Sequence, residues 1–293
     1  MKTPSISSEL SGGAGFTFEA HVAAYYLTAL VCEHTAPALG NRIVCPVALQ
    51  QKAGGEPLDD VVVDAEANDM CRLRLQVKRS LIASSALTNT DFAEVVVNSL
   101  RTIMKEDFRE GVDRVGAATE FMSENSLREV MRVCDISRAV STSTAFFALV
   151  AGDALSVNST KTLSIFRDIV QRVDGICSDE SLYKILRHFV IVKLSLLDGA
   201  ATDVPQAINQ LRVVLPSSNS GQAPNLWSRL LAIAHDGAAR FAVIDRRALL
   251  LALVPDFRFS ASLLIRQFCC LVICAITKFL ARNVLRASKA NPR

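Results

Sequence analysis

The sequence has little of what the commoner enzyme chemistries need. Its four histidines, His21, His34, His188 and His235, stand apart, so no Ser/His/Asp spacing can be read from them. Its eight cysteines fall without a paired-ligand rhythm. Cys269, Cys270 and Cys274 come closest, but their surroundings are apolar and no histidine is near, which speaks against a zinc site. No secretory signal peptide stands at the N terminus, so reduced thiols in the cytoplasm are the expectation. No Lys-Ser/Thr pair closes the early glycine run, so the ammonium and hydroxyl of a P-loop are missing. That run also lacks the preceding strand and third glycine of a dinucleotide fingerprint. The most apolar stretch, Leu263 to Leu280, is interrupted by Arg266 and Lys278. Its apolar core falls short of the ~20 residues a spanning helix needs, so it reads as a buried or partner-facing helix, with a membrane anchor as the weaker alternative. No internal repeat and no base-reading motif is visible.

What is present is a large apolar fraction. Half of the 293 residues are hydrophobic, enough for a sizeable core in one large domain or two modest ones. A net charge of +3 announces no particular partner, but Arg72, Arg74, Lys78 and Arg79 form a local basic cluster.

Residues 1–11 read as a flexible leader. Phe16 to Val31 carries apolar residues at helical spacing and ends before Pro37. Asn41 to Leu49 is β-rich, with Pro46 marking an edge strand or a bulge. The turn Gly54-Gly55-Glu56-Pro57 precedes a short strand, Asp60 to Asp64, and a second turn leads into Cys71 to Lys78, CRLRLQVK, the clearest strand of all. A helix is expected near Asp91 to Lys105, with Asn89 or Thr90 as its N-cap. Further strands are expected at Arg114 to Phe121 and Phe189 to Leu194, separated by helices. Ser217 to Pro224 is the best linker, and beyond it the pattern is all helical. The expected fold is α/β: a mixed sheet flanked by helices over residues 12–216, with a helical appendage over 225–293.

Strand alternation decides which side chains act together. In CRLRLQVK, Arg72, Arg74, Gln76 and Lys78 share one face. If the two short strands are antiparallel neighbours, Asp60 lies beside Gln76 and Lys78. A carboxylate, an amide carbonyl and a lysine so placed suit metal-assisted phosphodiester hydrolysis: hard oxygens hold Mg²⁺, and the lysine orients a water or stabilises developing charge. A second carboxylate from a nearby helix completes the set, and Glu19, just after the glycine run SGGAG, is the candidate.

The order GGAGFTFE, then LDD before a hydrophobic strand, then LQVK at a strand end, resembles the PD-(D/E)XK nuclease superfamily. The nearest pattern is the branch with a QxK motif, shared by Mrr-like restriction enzymes and the double-stranded-DNA nuclease domains of bacterial antiphage proteins. The stretch Ser84 to Phe92 also resembles that branch. The resemblance implies a restriction-endonuclease-like fold, with Glu19, Asp60, Gln76 and Lys78 as catalytic residues. It implies Glu19, Asp60 and Gln76 as ligands of Mg²⁺, with Mn²⁺ as a substitute. Asp59 is the rival of Asp60, which is preferred because it enters the strand. The implied activity is a cytoplasmic, metal-dependent endonuclease acting on double-stranded DNA in antiphage defence. Arg74 and Arg79 are expected to contact DNA phosphates; for Arg72 an ordinary exposed strand-face role is the better reading.

In such antiphage proteins the nuclease domain commonly precedes a nucleotide-hydrolysing or ligand-sensing module. RRALLLALVPDFRF, residues 246–259, resembles the bridge to such a module, which makes a truncated or stand-alone version of a larger protein one expectation. A second functional reading is a non-catalytic module that keeps the nuclease fold for binding. It is motivated by the neutral Gln76 and by the apolar 263–280 segment, which suits a homo-oligomer or a partner protein docked through the C-terminal helices.

Overall fold

The alternation in CRLRLQVK sets the architecture, because apolar residues on one face and long polar ones on the other both end up covered. The computed structural model describes residues 13–152, 155–175, 177–197, 201–260 and 263. Six strands form one mixed sheet: β1 (Ile43–Leu49), β2 (Val61–Glu66), β3 (Met70–Ser80), β4 (Arg114–Phe121), β5 (Phe189–Lys193) and β6 (Val243–Ile244), in the order β5-β4-β3-β2-β1-β6. The β1–β2, β2–β3 and β1–β6 pairs are antiparallel, whereas β3–β4 and β4–β5 are parallel. The α/β fold with a mixed sheet flanked by helices is therefore present.

Cys71, Leu73, Leu75 and Val77 of β3 face one core, shared with α1 (Gly13–Cys32), α7 (Asp203–Val214), α8 (Ala223–Ala239) and α9 (Arg246–Leu253). The opposite core is built under α2 (Thr90–Ile103), α3 (Glu124–Ala139), α4 (Ser143–Ala151), α5 (Val157–Asp174) and α6 (Asp179–His188). At its centre Phe92, Phe166 and Phe189 pack edge to face, with ring centroids 5.1–6.2 Å apart. Five helices begin with a side-chain cap, from Ser123, Thr142, Ser156, Ser178 and Asp245, which satisfies a main-chain N–H that the helix itself leaves orphaned.

Helix α1 is buried more widely than a single stripe, since Val22, Ala24, Tyr26, Leu27, Leu30 and Val31 are all inaccessible. It lies between the sheet and α8, so two of its faces need apolar side chains. Pro46 sits where the β1–β2 register shifts, between Val44 and Val47, the bulge its missing N–H favours. Gly116 lets β4 approach β5: a Cβ there would stand 1.8 Å from the Val190 carbonyl oxygen.

The expectation of an all-helical pattern beyond residue 224 is corrected by β6, whose two residues pair with Val47 and Ala48 of β1. The linker stretch is a 3-10 helix, Ser217–Gln222, leading directly into α8. Trp227, Leu230 and Leu249 from beyond it share one core with Leu27 and Leu75. Among the described residues no helix is long and apolar enough to cross a membrane. The apolar segment 263–280 lies outside them, apart from Leu263.

Candidate active site

Helix α1 carries Glu19 to the end of the sheet where β1 finishes and β2 begins. There the main-chain N–H groups of Gln50 and Gln51 bond to the carbonyls of Asp60 and Asp59, at 3.1 and 2.8 Å. Gln50 adopts a left-handed backbone (φ 51°, ψ 50°). For a residue with a Cβ this costs roughly 1–2 kcal/mol, the kind of strain that collects at functional sites. The turn aims its side-chain amide between two carboxylates: Nε2 donates to Glu19 Oε1 in a short contact and to Asp60 Oδ1 at 3.4 Å.

Asp60 is fixed from the other side by β3. The β2–β3 register pairs Val61 with Leu75, so Asp60 falls level with Gln76, and its Oδ2 accepts from the Val77 N–H at 2.7 Å. Burial pushes the Asp60 carboxyl well above the usual aspartate range, and the neighbouring Glu19 and Asp59 push it further. The Val77 N–H and the Lys78 ammonium pull it back only in part. Asp59, the rival acid, is also buried and also raised, chiefly by burial. Asp60 rather than Asp59 meets the Gln50 amide and the β3 backbone.

Gln76 and Lys78 leave β3 on the face covered by α2. Gln76 Oε1 accepts from Asn98 Nδ2 at 3.3 Å. Lys78 Nζ lies 3.1 Å from Glu94 Oε2 and 3.3 Å from Asp91 Oδ1, while its charge also bears on Asp60 and Asp59. Asp91, Glu94 and Asn98 stand three, then four, residues apart, one stripe of a helix. The structure thus brings Glu19, Asp60 and Lys78 to one end of the sheet, with Gln76 beside them turned toward α2. Gln50, Glu94 and Asn98 are the participants that sequence reasoning missed. The stripe spacing was readable for the α2 residues; nothing local marks Gln50.

Two expectations about arginines separate. Arg74 was expected to contact DNA, but it is fully buried. Its guanidinium is shared by Glu56 (3.1 Å), Asp107 (2.9 Å) and Asp113 (3.2 Å). The connection from α2 to β4 folds over this part of β3, bringing Asp107, Asp113 and the Phe108 ring onto it. Arg74 is therefore an internal tie that has no access to a phosphate. Arg72 is held by both oxygens of Asp64, at 2.6 and 2.9 Å. Arg79 keeps a 40% exposed side chain, pairs with Glu120 at 3.2 Å and lies over the Phe121 ring.

The donor set fits a hard cation. Glu19 and Asp60 offer carboxylate oxygens and Gln76, now accepting from Asn98, a neutral carbonyl oxygen, the ligand type Mg²⁺ prefers. Among the described residues no three of His, Cys, Asp and Glu gather as a metal cluster.

Replacing Arg74 by alanine leaves Asp113 buried and deprives it of one of its two arginine partners, the other being Arg109. The expected loss is about 3–5 kcal/mol, the cost of breaking a buried ion pair, read as a lowered urea midpoint. A change within experimental error would show the network to be dispensable. For Asp60 the sign is opposite. Its raised carboxyl favours the folded state below the ordinary aspartate range, and that contribution is lost as pH rises through the raised value. Asp60→Asn should therefore melt higher than the parent near pH 7 in EDTA and lose less stability between acid and neutral pH. An unchanged or lowered melting temperature would contradict this.

No family model matches the sequence, and no curated protein matches it either. Among solved structures, a Cap4 SAVED/CARF-domain containing receptor from Acinetobacter baumannii with the cyclic trinucleotide 3'3'3'-cAAA aligns at 13% identity and TM-score 0.43, covering 83% of this chain and 48% of that one. The corresponding receptor from Moraxella osloensis aligns at 15% identity and TM-score 0.43, covering 84% and 49%. The chain spans about half the length of both, and similarity at this level carries no argument about activity.

Proposed function

We propose that the chain is a metal-dependent endonuclease that hydrolyses phosphodiester bonds of double-stranded DNA and serves as a prokaryotic antiphage defence effector. The observation that carries the hydrolytic reading is the pair of carboxylates, Glu19 and Asp60, joined through one amide nitrogen with the Lys78 ammonium bearing on Asp60. The defence role and the choice of DNA rest on the resemblance of GGAGFTFE, LDD and LQVK to the QxK nucleases.

In this reading Glu19 and Asp60, with Gln76, would hold Mg²⁺ or Mn²⁺ in the place where the Gln50 amide now bridges the two carboxylates. The bound ion supplies polarisation of the scissile phosphate and a water of lowered pKa. The Val77 N–H keeps one Asp60 oxygen fixed, so that carboxylate does not swing as charge moves. Lys78, steadied by Asp91 and Glu94, orients the attacking water and stabilises charge building on the phosphate. Arg79, at the exposed end of β3, contacts the nucleic-acid backbone without reading sequence.

The non-catalytic reading has one specific observation in its favour. The Gln76 carbonyl is bonded to Asn98 and Lys78 is paired twice with α2, ties that would also hold a purely structural face together. Plasmid cleavage with Mg²⁺ or Mn²⁺ separates the two. Lys78→Ala should slow cleavage by roughly 10²–10³-fold, the usual cost of removing one charge-stabilising donor. Equal cleavage by parent and variant, or none by either, would exclude the proposed role of Lys78.

A further inference from the structure

Away from Asp60, a cavity has a charge pattern that the proposed nuclease chemistry leaves unused. A cavity of about 420 Å³ opens beside the first residues of β3 and β4 and runs along β5, the edge strand. Cys71 is in its wall; the ~3.3 Å rise per strand residue puts Lys78, further along β3, about 23 Å away. Arg42, Arg114, Arg138 and Lys193 line the cavity, and no Asp or Glu is among its lining residues.

Three of these cations have acidic partners outside the lining. Arg42 is bonded to both oxygens of Asp69, Arg138 pairs with Asp135 at 2.7 Å, and Lys193 pairs with Glu124. Arg114 differs. Its hydrogen bonds run from Nη1 alone to the carbonyls of Gly111, Val112 and Asp113, at 3.5, 3.1 and 2.9 Å. Among the described residues no carboxylate forms an ion pair with it, and Arg114 itself lines the cavity. Burial lowers the Arg114 pKa, and repulsion from Arg138 and Arg42 adds to that, with Cys71 and Asp113 opposing. Arg114 is thus repelled by Arg138 and Arg42 with no carboxylate paired to it, an anion in the cavity would relieve that repulsion, and a planar guanidinium matches a phosphate. Leu39, Met131 and Val190 give the same cavity apolar wall, and its volume falls in the range of small-molecule sites, roughly 300–1,000 Å³.

We propose that this cavity binds a small phosphate-bearing molecule, with its phosphate on Arg114 between Arg42 and Arg138 and any apolar body against Leu39, Met131 and Val190. The site does not depend on the nuclease reading, because the two share no residue.

Calorimetric titration of the full chain with AMP and with inorganic phosphate tests it. Saturable binding is expected, weakened at least ~10-fold by Arg114→Ala through loss of a charge-assisted fork and severalfold by Lys193→Glu at the exposed rim. Lys78→Ala should bind like the parent. Tighter binding of AMP assigns the site to organic phosphates; equal binding assigns it to the inorganic anion. Lys193→Glu keeps the test informative if Arg114→Ala does not fold. Absence of binding by the parent chain, binding unchanged in the rim and fork variants, or binding lost only in Lys78→Ala would each overturn the proposal.

Discussion

Glu19 and Asp60 come from elements far apart in sequence and meet at one end of the sheet, where burial and then the neighbouring Glu19 and Asp59 disfavour the charged form of Asp60. Much of the surrounding structure serves to hold them there. Helix α1 is packed between the sheet and α8, so it cannot rotate Glu19 away without opening the core that contains Tyr26, Leu27 and Trp227. The antiparallel β2–β3 register fixes Asp60 against the Val77 N–H. A left-handed Gln50 then places one amide between the two acids. Two adjacent carboxylates call for a proton, a donor or a cation between them; the Gln50 amide is that donor here, and in the proposed reading a cation would take its place.

Much of that was legible from pattern alone. The period-two alternation of CRLRLQVK gives both faces of β3, and the turn at 67–69 gives its antiparallel partner, so Asp60 beside Gln76 follows from counting. Pro46 marks its bulge because its chemistry is local. Arg74 was misread for a non-local reason. Alternation shows that it shares a face with Lys78, but only tertiary folding shows that the 104–113 connection closes over Arg74 and surrounds it with carboxylates, while α2 covers Gln76 and Lys78. β6 was missed because two residues carry no periodicity, and its strand character comes from pairing with β1. Gln50 was missed because its role lies in a backbone turn and a side-chain direction that no spacing rule encodes.

The sheet thus separates two chemistries. At the β2-start end, carboxylates concentrate and are balanced by amides and one lysine; near the β4 start, arginines concentrate around a cavity and are balanced by carbonyls and by acids outside it. Between them Arg74 ties Glu56, Asp107 and Asp113 together, with Lys105 and Arg109 supplying further positive charge to the same acids. An internal ion network of this kind joins the α2–β4 connection to β3, the strand that both sites share.

The most direct measurement of the central claim is Mn²⁺ binding to the full chain by electron paramagnetic resonance, which reads the ion itself rather than turnover. Saturable binding by the parent chain, competed by Mg²⁺ and lost in both Glu19→Gln and Asp60→Asn, is the predicted result. Binding that persists in both variants, or absence of binding by the folded parent, would contradict a metal site built on these two carboxylates.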